Sequence, residues 1–260
     1  MCLMTNILTV LGAYGTKSQK GGSSAFLVDK KNAIDAGNLI APLGKKCIEL
    51  EAVWLTHSHL DHIVDIAFIV DNYYERREKT LNIYALPETI EALQKHIFNH
   101  TIWPDFSTIP LSNGTGMSLT YHPIELGKQY KISEQLSVEP FATDHTVPSC
   151  GYVIRKGRNA ILMTADTLSL ETTITRLQKC EEIGSMIVEC SFPSSMETLA
   201  IKSKHLTPKL LFRVLETLDK EGLEIYINHI KPEYEKKIVK EIEALKGKWS
   251  VTILKEGDLV

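Results

Sequence analysis

The feature that most constrains this chain is the run H-S-H-L-D-H at residues 57–62, which Thr56 precedes. The apolar segment at residues 52–55 comes before the run and predicts a buried strand. Apolar residues recur at helical spacing over residues 63–74 and predict an amphipathic helix. The run therefore lies where a strand ends and a helix begins.

The residue types in this run are those of a metal site. In an extended backbone, His57 and His59 point to the same side and can bind one cation together. Asp61 and His62 lie past the bend and are free to face a second cation nearby. Histidine and carboxylate ligands without thiolate suit Zn²⁺, and also Mn²⁺ or Fe. A surface histidine cluster at a helix start is the plainer alternative, but the ligand types and the strand-to-helix context favour the metal site.

Composition places few further limits on the chain. Its 260 residues, 43% hydrophobic and 23% charged, fit one α/β domain spanning residues 1–260. A net charge of −3 gives no general attraction to nucleic acid or to an anionic membrane. The five cysteines are scattered, and no cationic or long apolar segment opens the chain. We expect reduced thiols and a cytoplasmic location, or a periplasmic one if a signal was removed.

Three apolar segments in the second half each end at an ionisable residue. Residues 161–165 lead to Asp166, residues 186–188 to Glu189, and residues 225–228 to His229. Ligands bind at the carboxyl ends of strands in open α/β sheets. Because a buried charge is costly unless it is paired or coordinated, these endings predict one site shared with the histidine run.

Other residues have both a functional and a structural interpretation. His205 comes just before Thr207 and Pro208, which predict the start of a helix, where a histidine can meet a phosphate. Asp35 follows a predicted hairpin and either orients a metal-binding histidine or belongs to a plain turn. Trp103 either stacks on a nucleobase or anchors its loop.

Less of the remaining sequence points to function. His96, His100 and His122 are interpreted as solvated or structural histidines. Alternating polar and apolar residues over residues 114–143 predict antiparallel strands.

The histidine run, the later His145 and His229, and Asp166 between them resemble the metallo-β-lactamase superfamily. That resemblance implies an αββα sandwich, two mixed β-sheets flanked by helices. Residues 95–104, 145–152, 204–208 and 228–232 are similar to class II cyclic-nucleotide phosphodiesterases. The segments V-P-S-x-G-Y and H-L-T-P favour this branch, and the similarity extends over residues 11–232.

The resemblance also implies a role for each matching residue. One metal would be held by His57, His59 and His145, the other by Asp61, His62 and His229, with Asp166 bridging them. His205 would act beside the phosphate, oriented by Glu189, and Ser149 and Trp103 are candidate substrate-binding residues. The chain departs from the family pattern at Asp65, where Gly or Ser is usual, and at Ala165 and Lys204, where Gly is common.

These roles imply hydrolysis of 3′,5′-cyclic nucleotides, cAMP or cGMP or both, to 5′-monophosphates. Two divalent ions, Zn²⁺ first and Mn²⁺ or Fe as alternatives, would lower the pKa of a water between them to ~7, and the hydroxide would attack phosphorus. Asp61 belongs to this catalytic centre as well as to the ligand set, and His205 would protonate the leaving alkoxide. We expect a small-molecule substrate, no stable nucleic-acid partner, no membrane association and a homodimer.

Three alternatives remain open at this stage. An RNase Z-like RNA 3′-processing enzyme would share the metal ligands, but carries a tRNA-gripping arm that does not fit between His145 and Asp166. A lactone, thioester or β-lactam hydrolase on this fold would not need His205 before a helix. A non-catalytic metal-binding or scaffold protein is disfavoured by the complete ligand set.

Overall fold

The computed structural model describes residues 7–260, so the expectations about Cys2 and the first six residues lie outside the described part. The strands form two mixed sheets. The first sheet contains, in spatial order, β1 (Thr9–Gly12), β2 (Ala25–Leu27), β3 (Asn32–Ile34), β4 (Ala52–Trp54), β5 (Leu81–Ala85) and β6 (Leu119–Pro123). The second contains β7 (Tyr130–Lys131), β8 (Leu136–Ala142), β9 (Cys150–Lys156), β10 (Asn159–Met163), β11 (Ile183–Glu189), β12 (Glu224–Asn228) and β13 (Ser250–Ile253).

Each sheet is antiparallel on one side and parallel on the other. In the first sheet β1, β2 and β3 pair antiparallel, and β3 to β6 pair parallel. In the second sheet β7 to β10 pair antiparallel, and β10 to β13 pair parallel. Parallel neighbours end on the same edge, so each sheet gathers several carboxyl ends at one edge.

Helices cover the outer face of each sheet. They are α1 (Ile40–Leu43), α2 (Leu60–Asn72), α3 (Pro87–His96), α4 (Glu171–Lys179), α5 (Glu197–Lys202), α6 (Pro208–Leu215) and α7 (Glu235–Leu245). Val53, Ile66 and Leu93 belong to the core between the first sheet and its helices. A second outer core, which includes Leu211 and Ile242, lies between the second sheet and its helices.

A third core fills the space between the two sheets. It contains Phe26 and Trp54 from the first sheet and Val138, Tyr152 and Ile187 from the second. Burial of such side chains on both faces of both sheets gives four layers, so the predicted αββα sandwich is confirmed. That the whole of residues 1–260 is one domain stays a prediction.

Two local predictions had different outcomes. Thr207 is the N-cap of α6, and its hydroxyl accepts a hydrogen bond from the Leu210 N–H at 3.3 Å, as predicted. The prediction of antiparallel strands over residues 114–143 holds for β7 and β8 but is wrong for β6, which pairs parallel with β5. An alternating pattern reports which face of a strand is buried and carries no information on the direction of its partner.

Within residues 7–260, no helix has both the length and the apolar composition needed to cross a bilayer.

Two of the departures from the family pattern lie at strained backbone positions. Ala165 and Lys204 have φ of 53°, in the left-handed region that favours glycine. Glycine, which the resemblance gives as the usual residue at both positions, adopts this conformation without strain. Ala165 directly precedes Asp166 and Lys204 directly precedes His205, so the strain is stored beside two residues of the predicted site.

We expect Ala165→Gly to raise the free energy of unfolding by about 1 kcal/mol, because glycine removes the left-handed strain of an alanine and this outweighs its larger loss of backbone entropy. Urea unfolding of the two proteins measures the difference. The matched control is Ala67→Gly in the middle of α2, which we expect to lower the same free energy by about 1 kcal/mol. Equal destabilisation by both substitutions would contradict the assignment of strain to position 165.

Candidate metal centre

The predicted site residues come from loops at the carboxyl ends of strands in both sheets. The histidine run follows β4, with His59 just before α2 and both Asp61 and His62 in its first turn. Asp166 follows β10 by three residues, and His229 comes directly after β12. The two sheets therefore meet at one edge, where each delivers part of the site.

His145 lies in the loop between β8 and β9. This loop is attached to the histidine run, because the Cys150 N–H donates to the Thr56 carbonyl at 3.0 Å. The Nδ1 of His145 donates to the Lys204 carbonyl at 3.2 Å, which connects the same loop to the segment before α6.

The described residues contain three groups whose ligand atoms lie within 4.8 Å of one another. They are His57, His59, His145 and Asp166; Asp61, His62 and His229; and Asp166, His205 and His229. The first two groups are the sets that the resemblance implied for two metals. The structure brings all seven predicted ligands together, and their roles as ligands stay a prediction.

Asp166 occupies the centre of this arrangement. Its Oδ2 lies 3.3 Å from the Nε2 of His229, 3.5 Å from that of His62, 3.7 Å from that of His57 and 3.8 Å from that of His145. Two pairs of ring nitrogens also converge, at 3.1 Å between His59 and His145 and at 3.2 Å between His62 and His229. The Asp166 carboxylate thus faces both histidine pairs, as is expected of a ligand that bridges two metals.

Protein groups occupy the other ring nitrogen of four of these histidines. The Nδ1 atoms of His57, His62, His145 and His229 contact, in that order, the Thr56 hydroxyl at 2.9 Å, the Asp35 carboxylate at 2.7 Å, the Lys204 carbonyl at 3.2 Å and the Ser191 hydroxyl at 2.9 Å. Metal-binding histidines almost always donate their second N–H in this way. The Nε2 atoms are thus the ones that face Asp166.

The Nε2 of His57 is the most direct sign that this donor set suits a metal. It is buried and has no hydrogen-bond partner among the described residues. A buried polar atom of this kind is costly unless something pairs with it. A cation at this point would satisfy the His57 nitrogen and the neighbouring carboxylate together, so the donor set fits a divalent metal.

The charge states also suit metal binding. Burial lowers the pKa of His57 well below its usual value, and burial lowers the pKa of His145 to about 4, so both rings are neutral at pH 7. For Asp61 and Asp166, burial raises the pKa, but the surrounding histidines outweigh it and leave both pKa values below the usual range. Neutral imidazoles and ionised carboxylates are the forms that coordinate metals.

His62 is the exception among these histidines. Burial would lower its pKa, but the carboxylates of Asp166 and Asp35 on either side outweigh that effect and raise it well above the usual value. Two carboxylates that favour a positive charge on this ring also favour a cation beside it.

His205 lies at the border of the two metal groups. Its ring stacks on that of His229, with centroids 5.4 Å apart, and meets that of His145 edge-on at 5.0 Å. Its Nδ1 contacts the Glu189 carboxylate at 2.8 Å, as the predicted orientation by Glu189 requires. Glu189 is fully buried and also accepts from the Thr167 N–H at 3.1 Å. The net effect on His205 is a raised pKa, because Glu189 outweighs the burial that would lower it.

Asp35 has the orienting contacts of the functional interpretation. Besides His62, its carboxylate accepts hydrogen bonds from the N–H of Thr56 at 2.9 Å and from the Thr56 hydroxyl. It also adopts a left-handed φ of 57°, which aspartate tolerates in turns. The two interpretations of Asp35 are therefore compatible.

The two predicted substrate-binding residues, Ser149 and Trp103, both contact other protein side chains. Ser149 is buried, and its hydroxyl is paired with that of Thr143 at 2.7 Å. Trp103 packs edge-on against Phe68 of α2, with ring centroids 5.5 Å apart, as loop anchoring predicts. Neither contact tests substrate binding, which stays a prediction for both.

Sequence reasoning missed Ser191. Its hydroxyl lies 2.8 Å from Glu189, 3.2 Å from the His205 Nδ1 and 2.9 Å from the His229 Nδ1. The available signal was a small polar residue two positions after the buried end of β11. The backbone carbonyl of Lys204, which binds His145, gives no side-chain signal at all.

Asp65, the third departure, has a structural role. Its carboxylate accepts from the N–H groups of Leu39 and Ile40 at 2.7 and 2.8 Å, at the start of α1. It also pairs with Lys17 at 2.9 Å. This aspartate therefore fixes the segment that carries Asp35 and the loop that carries Lys17.

Comparisons with known proteins agree with this geometry. The family model for class-II cAMP phosphodiesterases matches residues 45–145, which include the histidine run and His145 but not the later site residues. A "3′,5′-cyclic-nucleotide phosphodiesterase 1" from Saccharomyces cerevisiae is 28% identical over 249 residues, covering 82% of this chain and 66% of the yeast protein. The chain thus spans slightly less than two thirds of that relative.

Solved structures show the same fold. Unliganded yeast PDE1 has a TM-score of 0.79 at 21% identity, covering 97% of this chain and 99% of the yeast chain. The metallo-β-lactamase fold protein YhfI from Bacillus subtilis has a TM-score of 0.74 at 21% identity, covering 97% of each chain. The predicted resemblance is confirmed: the chain has the metallo-β-lactamase fold, and its residues 45–145 match the family model for class-II cAMP phosphodiesterases.

Proposed function

We propose that this protein is a metal-dependent phosphodiesterase that hydrolyses 3′,5′-cyclic nucleotides to 5′-monophosphates. The observation that carries the proposal is His205, held by the buried Glu189 at the border of two histidine–carboxylate groups. Phosphoryl transfer to water needs both charge stabilisation and a proton donor for the departing oxygen, and this arrangement supplies groups for both. The names of the yeast relative and of the matching family support the same substrate class.

The proposed cofactors are two divalent ions, with Zn²⁺ first because the ligands are histidine and carboxylate. His57, His59 and His145 would hold one ion, and Asp61, His62 and His229 the other, with Asp166 shared. When bound, such ions lower the pKa of water to about 7 and neutralise charge on phosphoryl oxygens.

His205 is proposed as the general acid. Its Nδ1 is bonded to Glu189, so its Nε2 is left for the substrate. Water that has lost one proton to solvent bonds through its oxygen to phosphorus while the bond from phosphorus to the 3′ oxygen breaks, and the proton on the His205 Nε2 passes to that 3′ oxygen. The raised pKa of His205, in which Glu189 outweighs burial, keeps more of the ring in the proton-donating form near neutral pH.

The alternatives have less support. In RNase Z-like enzymes a tRNA-gripping arm would lie between His145 and Asp166, but here β9 and β10 form an adjacent antiparallel pair across most of that stretch. A carboxylic-ester or lactone hydrolase has no need of the buried Glu189 beneath His205, and a scaffold has no need of the full ligand set.

The remaining proposals concern location and assembly. Cys47, Cys150, Cys180 and Cys190 are free thiols, which supports a reducing, cytoplasm-like compartment. A homodimer has support from exposed apolar side chains such as Ile102 and Phe68, which are 63% and 40% exposed. We propose no stable nucleic-acid partner, because the chain carries a net charge of −3.

We expect Zn²⁺- or Mn²⁺-loaded protein to convert 3′,5′-cAMP, 3′,5′-cGMP or both to the 5′-monophosphate, resolved by chromatography. His145→Ala removes a ligand of the first metal and should abolish turnover and lower the metal content measured by mass spectrometry. The control is His96→Ala, an exposed histidine of α3, which should retain both. If the protein hydrolyses bis(p-nitrophenyl) phosphate but neither cAMP nor cGMP, the proposed metal centre stands and the proposed substrate is wrong.

The leaving group tests the role of His205. We expect His205→Ala to slow hydrolysis of cyclic nucleotides by about 100- to 10,000-fold, because their leaving alkoxide needs a proton. Hydrolysis of bis(p-nitrophenyl) phosphate should slow much less, because p-nitrophenolate leaves without needing a proton. Steady-state rates of the metal-loaded variant on both substrates measure the difference, and equal losses on the two would rule out a general acid at position 205.

A further inference from the structure

A groove of about 410 Å³ opens beside the candidate metal centre. Its lining comes from three segments that are distant in sequence. They contribute Thr16 and Ser18 from the loop after β1, Phe192 from the loop after β11, and Lys231, Glu233 and Tyr234 from the turn before α7. The groove thus combines two aromatic rings with hydroxyl and charged groups, the mixture typical of small-molecule sites.

The groove adjoins the candidate metal centre through Phe192 and Lys231. The Phe192 ring meets the His205 ring at 5.7 Å between centroids and an angle of 64°, and lies 6.2 Å from the Tyr234 ring. Gly15 packs so closely on His229 that a Cβ there would lie 2.8 Å from the His229 Nδ1. Lys231 donates to the Gly15 carbonyl, so the groove and the centre share a wall.

Hydrogen bonds fix the two sides of the groove relative to each other. Lys20 donates to the Pro232 carbonyl at 2.6 Å and pairs with Glu235 at 3.1 Å. The Tyr14 hydroxyl donates to the other oxygen of Glu235 at 3.0 Å. The loop after β1 is therefore held against the turn before α7, and a groove formed in advance spends less free energy on ordering when a ligand binds.

The chemistry of the proposed reaction determines what this groove would receive. If His205 protonates the 3′ oxygen, the ribose lies beside His205. The base is attached to that same ribose, so a space next to His205 lies within its reach. Tyr234 and Phe192, the latter only 9% exposed, line that space. Nucleobases stack on aromatic side chains with little dependence on sequence.

We propose that the groove lined by Phe192, Lys231 and Tyr234 binds the nucleobase of the cyclic nucleotide. This inference rests on the proposed function and goes beyond it, because it locates the base on the His205 side of the centre. Trp103, the base-stacking candidate from the sequence, packs against Phe68 instead.

The test is Tyr234→Leu, which keeps an apolar side chain against the core and removes the aromatic face. We expect KM for cAMP and cGMP to rise about ten-fold, which corresponds to about 1.4 kcal/mol. KM for methyl p-nitrophenyl phosphate, which has no base, should change far less. The matched control is Tyr226→Leu, at a partly buried tyrosine on β12 outside the groove. This control should not raise KM for the cyclic nucleotides relative to KM for methyl p-nitrophenyl phosphate.

A binding measurement separates this inference from the proposed function. Calorimetry on the metal-loaded protein should show 5′-AMP or 5′-GMP binding more tightly than ribose 5-phosphate, with the advantage lost in Tyr234→Leu. If cyclic nucleotides are hydrolysed but Tyr234→Leu leaves both KM and that advantage unchanged, the groove is not the base site and the proposed function stands. If neither cyclic nucleotide is hydrolysed and the base adds nothing to binding, both proposals are overturned.

Discussion

The structure depends on one arrangement of four histidine rings around the buried carboxylate of Asp166. The Nε2 atoms of four histidines lie 3.3 to 3.8 Å from one oxygen of Asp166, and protein groups occupy the opposite nitrogen of each ring. Buried ring nitrogens and carboxylate oxygens packed this closely have lost their hydration and need a partner. Hydrogen bonds around the outside hold these groups in place, and the proposed metal ions would make the cluster favourable. Much of the local backbone is organised to maintain that cluster.

The backbone at the site carries the strain that this requires. Five non-glycine residues among those described have a left-handed φ, and four of them, Asp35, Ala165, Lys204 and His229, are in the site or next to it. Strain of this kind persists only where the surroundings hold it, and it concentrates at functional positions. Here the reason is geometric. Asp35, Ala165 and His229 each follow a buried strand, whereas Lys204 follows α5. After a strand, the left-handed conformation turns the chain within one residue, so the next polar side chain can face the edge shared by the two sheets.

Local patterns in the sequence predict a large part of this molecule. The histidine run, the strand endings at Glu189 and His229 and the N-cap at Thr207 are encoded by residues that are close together in the chain. Local patterns do not encode the parallel pairing of β6 or the contacts of Ser191, because both depend on elements that meet only in the folded state. The groove beside His205 is the strongest example, since its lining comes from segments more than 200 residues apart. The family resemblance supplied the two-sheet arrangement that spacing alone leaves open.

Ser191 connects the metal centre to the proposed acid. A serine hydroxyl has one proton, and the nearest acceptor for it is Glu189 at 2.8 Å. The Ser191 oxygen must then accept from the His229 Nδ1 at 2.9 Å, which fixes the tautomer of His229 with its Nε2 lone pair facing Asp166. The other oxygen of Glu189 binds the Nδ1 of His205 and fixes that ring in turn. One buried carboxylate and one hydroxyl therefore set the proton positions of a proposed ligand and of the proposed acid together, so the two functions of the site share a single hydrogen-bond network.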